Sequence, residues 1–219
     1  MDPSRLGDSP AFIEARERMV REQIRMRGVT SSDVLGAMTA APRHLFVPPD
    51  RESEAYGDTP LPIGAGQTIS QPYIVALMTE LAGLTPDSRV LEVGTGCGYQ
   101  TFILAWLARE VHTIELQPSL YHEARERLAR LGFNNIRFRL GNGWGGWPEA
   151  APFDAIVVTA APLTIPPALK EQLGPAGRLV IPVGPEGNQI LRVVQRRGSG
   201  FDERDVIPVR FVPMIAPAS

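Results

Sequence analysis

Apolar positions along this chain change their period twice, and the changes divide it into three stretches. From residue 10 to 27 they recur as Phe12, Ile13, Met19, Val20 and Ile24 on one side of a helical pattern. Ser9 stands where an N-cap belongs, Pro10 suits the first helical position and Gly28 is a stop, so the spacing predicts one amphipathic helix over 10–27. A second short helix starts near Ser31 and carries Val34, Leu35 and Met38. Between residues 42 and 71 the periodicity lapses and Pro48, Pro49, Pro60, Pro62, Gly64 and Gly66 crowd in, which predicts a long loop. Loops of that length in compact domains often bear function.

Beyond residue 71 the two periods alternate. A helix is predicted from 71 to about 82, a strand over 89–93, a helix from 99 to about 109 and a strand over 111–115. A further helix starts at Pro118, with Leu120, Ala124, Leu128 and Leu131 on one stripe and Gly132 past its end. Strands follow at 136–140, 154–159 and 178–183; the last two, at 190–194 and 209–212, have no helix between them and predict an antiparallel edge. Strands alternating with helices make this an α/β chain: a Rossmann-like, doubly wound, mostly parallel seven-stranded sheet with an N-terminal helical extension.

Composition narrows the class. With 219 residues, 43% of them hydrophobic, and a formal charge of −2, the chain supports one buried core and no broad phosphate-binding surface, so no nucleic acid partner is expected. The arginines at 16, 18, 21, 25 and 27 read as the solvated face of a helix. Residues 1–10 are polar, without the basic and apolar regions of a secretory signal, and no apolar run approaches the roughly 20 residues of a membrane span. A soluble, cytoplasmic, monomeric protein is expected. Cys97 is the only cysteine and the three histidines, His44, His112 and His122, lack metal-ligand spacing, so neither a disulfide nor a metal centre is expected.

Candidate chemistry centres on Glu92-Val93-Gly94-Thr95-Gly96-Cys97-Gly98, directly after an apolar strand and before a helix. Glycines at the carboxyl end of a parallel strand let backbone approach a nucleotide. The spacing is Gly-x-Gly-x-Gly, one residue short of the dinucleotide fingerprint, and Glu92 would repel a pyrophosphate. S-adenosylmethionine brings an ammonium, a sulfonium and no phosphate, which suits nearby negative charge. Glu115, ending the next strand, is placed to accept bonds from ribose hydroxyls. Gly141-Asn142-Gly143 follows the third strand, where the Asn142 amide suits adenine and equally suits a turn.

Seven segments carry a likeness that runs along the whole chain: Pro42-Arg43-His44-Leu45-Phe46-Val47-Pro48, Pro60-Leu61-Pro62-Ile63-Gly64, Gly66-Gln67-Thr68-Ile69-Ser70-Gln71-Pro72, the glycine loop, Gly146-Trp147-Pro148-Glu149, Thr159-Ala160-Ala161, and residues 208–214. In this set and order the chain resembles the protein-L-isoaspartate O-methyltransferase family. The resemblance implies the class I S-adenosylmethionine-dependent methyltransferase fold over 1–219, with N-terminal helices and a substrate loop in 1–70 and a cofactor-binding core in 71–219. It implies methylation of the free carboxylate of L-isoaspartyl residues in damaged proteins and peptides, which starts repair through a succinimide, with S-adenosyl-L-homocysteine as product. It further implies that Ser70 is the active-site residue; that Gln67, Thr68, Ile69, Glu92, Gly94, Thr95, Gly96, Gly98, Glu115, Leu116, Asn142, Gly143 and Thr159 hold the cofactor; and that Thr68, Ser70, Phe211 and Val212 hold the substrate. Three positions depart from the family pattern. Cys97 stands where serine is common, Gly57 where an acid is expected, and Asn142 where an acid usually lies beside adenine.

A carboxylate acceptor is ionised at neutral pH, since its reference pKa is about 4, so no general base is required. The residues themselves read more plainly. Ser70 before Gln71-Pro72 is a natural helix N-cap, His44 a packed or capping residue, Phe211 and Val212 an edge strand, and Trp144 and Trp147 packing residues. Three other readings stand beside the first: a methyltransferase acting on another carboxylate or small molecule, a nicotinamide-dependent oxidoreductase, and a non-catalytic nucleotide-binding module. An amine methyltransferase is disfavoured because Thr159-Ala160-Ala161-Pro162 lacks the acceptors an amine needs.

Overall fold

In a computed structural model, residues 8–217 are described. Helix α1 (Pro10–Arg18) starts as predicted, the Ser9 side chain accepting from the Phe12 N–H. It does not continue as one α-helix to residue 27. The backbone widens into a π turn over Met19–Ile24, then tightens into a 3-10 turn, Arg25–Arg27, closed by Gly28 in the left-handed region. The sequence supplies the reason. Met19 and Ile24 are both fully buried and five residues apart, which a regular α-helix sets about 140° apart and an i→i+5 turn brings nearer one face. Helix α2 (Ser32–Ala40) follows, capped by Ser31, and its entry is pinned by Glu80 Oε1, which accepts from the Thr30 and Ser31 N–H groups at 2.7 Å each.

The stretch predicted as loop carries structure of its own: 3-10 turns at Arg43–Phe46 and Pro49–Glu54, then a two-stranded antiparallel hairpin of β1 (Leu61–Gly64) and β2 (Gln67–Ile69). Leu61, Ile63 and Ile69 are its buried positions, too few to register as a period in so proline-rich a stretch.

Helix α3 (Pro72–Ala82) leads into the main sheet: β3 (Arg89–Val93), α4 (Tyr99–Leu107), β4 (Glu110–Glu115), α5 (Pro118–Arg130), β5 (Ile136–Leu140), β6 (Phe153–Val158), α6 (Pro167–Glu171), β7 (Leu173–Val183), β8 (Gln189–Arg197) and β9 (Gly200–Val209). The spatial order is β5-β4-β3-β6-β7-β8-β9, the first five strands parallel and the last two antiparallel. The doubly wound, mostly parallel seven-stranded sheet is thus as expected.

Alternation along the central strands builds two cores. Val90, Ala155, Val157 and Val180 face Met78 of α3 and Leu104 of α4 on one side. Leu91, Ile156, Val158, Leu179 and Ile181 face Leu169 of α6 on the other. A third cluster joins the N-terminal helices to α4 and α5 through Met19, Ile24, Met38, Phe46 and Phe102.

The final strand is a correction. The expected strand at 209–212 lies instead at Gly200–Val209, and Phe211 and Val212 fall beyond it. Asp202, Glu203, Arg204 and Asp205 give the true strand a charged exterior; Arg192 of β8 pairs with Asp205 at 2.6 Å and Glu203 at 3.3 Å across the hairpin. Such charge protects an exposed edge and erases the apolar alternation that marks a strand in sequence. No helix among the described residues is long and apolar enough to cross a membrane.

Candidate active site

A cleft of about 500 Å3 opens at the carboxyl ends of β3, β4 and β6, where the strand order reverses between β3 and β6. That topological switch point is where open α/β sheets bind ligands, and the volume suits a small molecule. One wall is the glycine loop, another the segment 67–71 leaving β2, and a third the tail 208–215.

The loop is held by main chain. Gly94 and Thr95 donate to the Ile114 carbonyl at 2.9 and 3.3 Å, tying the loop to β4. From β6, Thr159 Oγ1 donates to the Gly94 carbonyl at 2.7 Å and to that of Val93 at 3.1 Å, bridging the switch point. Gly94 has φ +97°, and a Cβ there would collide with Thr159 Oγ1. Gly143 presses equally close to Val93, so a side chain is excluded there too.

Glu115 stands at the cleft, 5% exposed, its Oε2 accepting from Gly96 N–H at 2.7 Å and its Oε1 from Gln117 N–H at 2.9 Å. Two backbone donors fix its orientation and leave lone pairs for a ligand's hydroxyls. Beside it Leu116, 39% exposed, and Ile114 supply apolar surface. Among the described lining residues Glu115 is the sole carboxylate and Arg210 the sole cation. A cationic ligand with ribose hydroxyls fits that set; a pyrophosphate, which wants cations or free N–H groups at the loop, does not.

Two residues expected at the cofactor stand off the cleft wall. Glu92 is fully buried beneath the loop, where its Oε2 accepts from Thr101 Oγ1 at 2.5 Å and Thr113 Oγ1 at 2.6 Å. Thr113 also bonds Thr95 Oγ1 at 2.6 Å, so a chain of hydroxyls joins this acid to the loop. Burial pushes its pKa up to about 8, only partly opposed by the two threonine bonds, so at neutral pH the carboxyl is mostly protonated. The negative charge expected of Glu92 is therefore mostly absent, and Glu115 supplies the acid at the cleft. Gly98 is the N-cap of α4 at φ +91°, where a Cβ would meet Leu128 Cδ1 at 2.9 Å; it serves the α4–α5 contact.

Gln67, Thr68, Ile69 and Ser70 all line the cleft. The expected N-cap role of Ser70 is not seen: the cap of α3 is Gln71, with no side-chain capping bond. Ser70 is held from behind, Arg43 Nη2 donating to its carbonyl at 2.8 Å while Arg43 Nε donates to the Ala55 carbonyl at 2.8 Å. His44 is part of a buried cluster away from the cleft. Its Nδ1 lies 2.8 Å from the Tyr56 hydroxyl, its ring stacks on Phe12, and burial lowers its pKa. Gly57 donates to the Glu54 carbonyl at 2.9 Å within a turn whose neighbour Asp58 pairs with Arg27 at 2.7 Å.

The tail crosses the cleft beyond β9. Gln189, 3% exposed, donates to the Phe211 carbonyl at 3.0 Å and accepts from its N–H at 2.6 Å; Ala161 donates to the Val212 carbonyl and accepts from Met214, both at 2.8 Å. Phe211 and Val212 do reach the cleft, but both main-chain groups of Phe211 are already engaged. Asn142 lines the cleft and is engaged as well: its Oδ1 accepts from Trp144 N–H at 2.8 Å, as a turn residue's does, and its Nδ2 donates to the Ile215 carbonyl at 3.0 Å. Sequence reasoning assigned no site role to Gln189, Gln117, Arg210 or residues 213–215, all of which meet the cleft or its tail. The motif over 208–214 contained the tail, but nothing local marked Gln189, whose partner lies 22 residues away.

Comparison with known proteins agrees over nearly the whole chain. The family model for protein-L-isoaspartate(D-aspartate) O-methyltransferase matches residues 14–218. A protein-L-isoaspartate O-methyltransferase of Methylorubrum extorquens is 56% identical over 97% of this chain and 93% of its own length. One from Synechococcus is 50% identical over 98% and 91%. Among solved structures, a protein-L-isoaspartate O-methyltransferase superposes with TM-score 0.83 at 27% identity, covering 92% of this chain and 66% of that one. A Plasmodium falciparum chain, assigned to the same activity and solved with S-adenosyl-L-homocysteine, gives TM-score 0.80 at 26% identity over 91% of this chain and 98% of its own.

Proposed function

The chain belongs to the protein-L-isoaspartate(D-aspartate) O-methyltransferase family, and we infer from this that the cleft binds S-adenosylmethionine and methylates isoaspartyl carboxylates. The observation that carries the reading is the family match across residues 14–218, which spans every wall of the cleft. The cofactor supplies a methyl group activated on a sulfonium. The acceptor is the free carboxylate of an L-isoaspartyl residue in a damaged protein or peptide; its oxygen takes the methyl group as the S–C bond breaks, leaving S-adenosyl-L-homocysteine and a neutral methyl ester. Closure of that ester to a succinimide, and hydrolysis of the ring, returns some normal aspartate.

The protein's own share of the chemistry is orientation and electrostatics. Glu115 would accept from the ribose hydroxyls, and Leu116, Asn142 and Gly143 would flank the adenine; Gly94, Thr95 and Gly96 would allow close backbone approach, and Thr159 braces their loop. Gln67, Thr68 and Ile69 close the cleft between cofactor and acceptor. Ser70, free of a capping duty, donates its hydroxyl to the acceptor carboxylate, with Thr68, Phe211 and Val212 against the peptide. Since the acceptor is already ionised, no residue need remove a proton. Cys97 as sole cysteine supports work in a reducing cytoplasm, and a charge of −2 supports a protein rather than a nucleic acid substrate.

Ser70→Ala tests the acceptor role. Loss of one hydrogen bond to a charged group lowers kcat on an isoaspartyl peptide about ten-fold or more, with S-adenosylmethionine affinity unchanged. An unchanged kcat refutes the assignment.

A further inference from the structure

Arg43 is fully buried, yet its guanidinium meets no carboxylate within salt-bridge distance among the described residues. Its partners are neutral: the Ala55 and Ser70 carbonyls at 2.8 Å each, and the face of Tyr99, whose centroid lies 4.7 Å away. Nη1 is buried without a hydrogen-bond partner. Arg16, the other buried arginine, is different, pairing with Asp8 at 2.9 Å.

A guanidinium keeps its proton in proteins, and a buried charge is ordinarily paired. Burial does pull the Arg43 pKa down from its ordinary value, a measure of the strain of holding the cation there without a counter-ion. Of its three partners, Tyr99 and Ser70 line the cleft. The cation therefore lies directly behind the wall at which the acceptor is to bind. Its field there is little screened, unlike that of exposed Arg210 at the rim.

We propose that Arg43 is a positioning residue for the methyl acceptor, holding Ser70 through its carbonyl and supplying from behind the cleft wall the positive charge that selects an anionic side chain over a neutral one. The proposal rests on the reading of Ser70 as the acceptor-binding group. It has a consequence for turnover. Methyl transfer neutralises the carboxylate, so the attraction that gathers the substrate is withdrawn from the ester, and product leaves while substrate is retained.

The test is equilibrium binding to protein saturated with S-adenosyl-L-homocysteine, using two peptides that differ only in an isoaspartyl carboxylate or its uncharged isoasparaginyl amide. The wild type prefers the anion by about ten-fold or more, as expected for a charge-assisted contact. Arg43→Gln loses most of that preference, and Arg43→Lys, which keeps the charge without the fork of donors, recovers part of it. Both retain S-adenosyl-L-homocysteine affinity. A variant that melts earlier yet keeps the full preference overturns the proposal, because a merely structural arginine would behave that way. Should Arg43→Gln not fold, the wild type decides: the Arg43 Nε resonance, assigned through backbone connectivities, shifts with the isoaspartyl peptide and less with the amide, whereas equal shifts contradict the role. Failure of the Ser70 reading is distinct, being an unchanged kcat in Ser70→Ala with the charge preference intact.

Discussion

Burial holds the Glu92 carboxyl protonated over a pH range in which a free glutamate is ionised, and that difference couples its titration to folding. From about pH 4.5, its ordinary value, to about 8, the unfolded chain has released this proton while the folded chain keeps it. The unfolded state therefore binds fewer protons, and the contribution to stability falls as pH rises, by about 1.4 kcal/mol per unit at most. Glu92→Gln retains an acceptor for Thr101 and Thr113 without the ionisation. Denaturant titrations at pH 5 and pH 8 should show the variant gaining on the wild type between the two; a constant difference would mean that Glu92 does not carry the effect. The residue scale is also where the sequence was least informative. Glu92 reads as a charge beside a cofactor because its motif adjoins the glycines, yet strand alternation turns its side chain under the loop to Thr101 and Thr113, a contact no local pattern announces. Ser70 was legible as a site residue through its motif, whereas its release from capping became evident only with Gln71 in the cap position.

At the scale of elements, two contacts keep the cleft in shape. The N-terminus of α4 packs on α5 through Gly98, whose φ of +91° and proximity to Leu128 leave no room for a side chain. Gly98→Ala is expected to cost about 1–3 kcal/mol, through both the backbone conformation and the overlap, measurable as a lower midpoint in urea. Gln189 clamps the tail by pairing both main-chain groups of Phe211. Gln189→Ala leaves those groups unpaired and should raise KM for an isoaspartyl peptide several-fold with a smaller change in global stability; an unaltered KM would separate the tail from substrate binding. Strand β7 begins at Leu173, five residues before its expected start, whereas long periodic elements such as α3 and α5, and the strands β3, β4 and β6, were readable to within a residue or two. The π turn after α1, the β1–β2 hairpin and α6 were not, because each is too short to show a period, and β9 was displaced because its outward charges hide the alternation.

For the whole molecule, the legible quantity was topology. Alternating elements specify a parallel sheet, and the glycine loop after its first strand points to a ligand crevice at the strands' carboxyl ends; that this is the switch point between β3 and β6 follows only from the strand order. What remained hidden was the third wall, since the tail closes over the cleft through contacts with Ala161, Gln189 and Asn142 that are distant in sequence. A ligand seated among three walls stabilises the fold by mass action. At a hundred-fold excess over Kd, S-adenosylmethionine or S-adenosyl-L-homocysteine should raise Tm by roughly 5–10 °C, while NAD leaves it unmoved. The central claim is that this cleft directs methyl transfer to an isoaspartyl carboxylate. Its most direct measure is incorporation of labelled methyl from S-adenosylmethionine into an isoaspartyl peptide, set against the same peptide with normal aspartate. The account predicts base-labile label in the isoaspartyl peptide alone; equal label in both, or none in either, would contradict it.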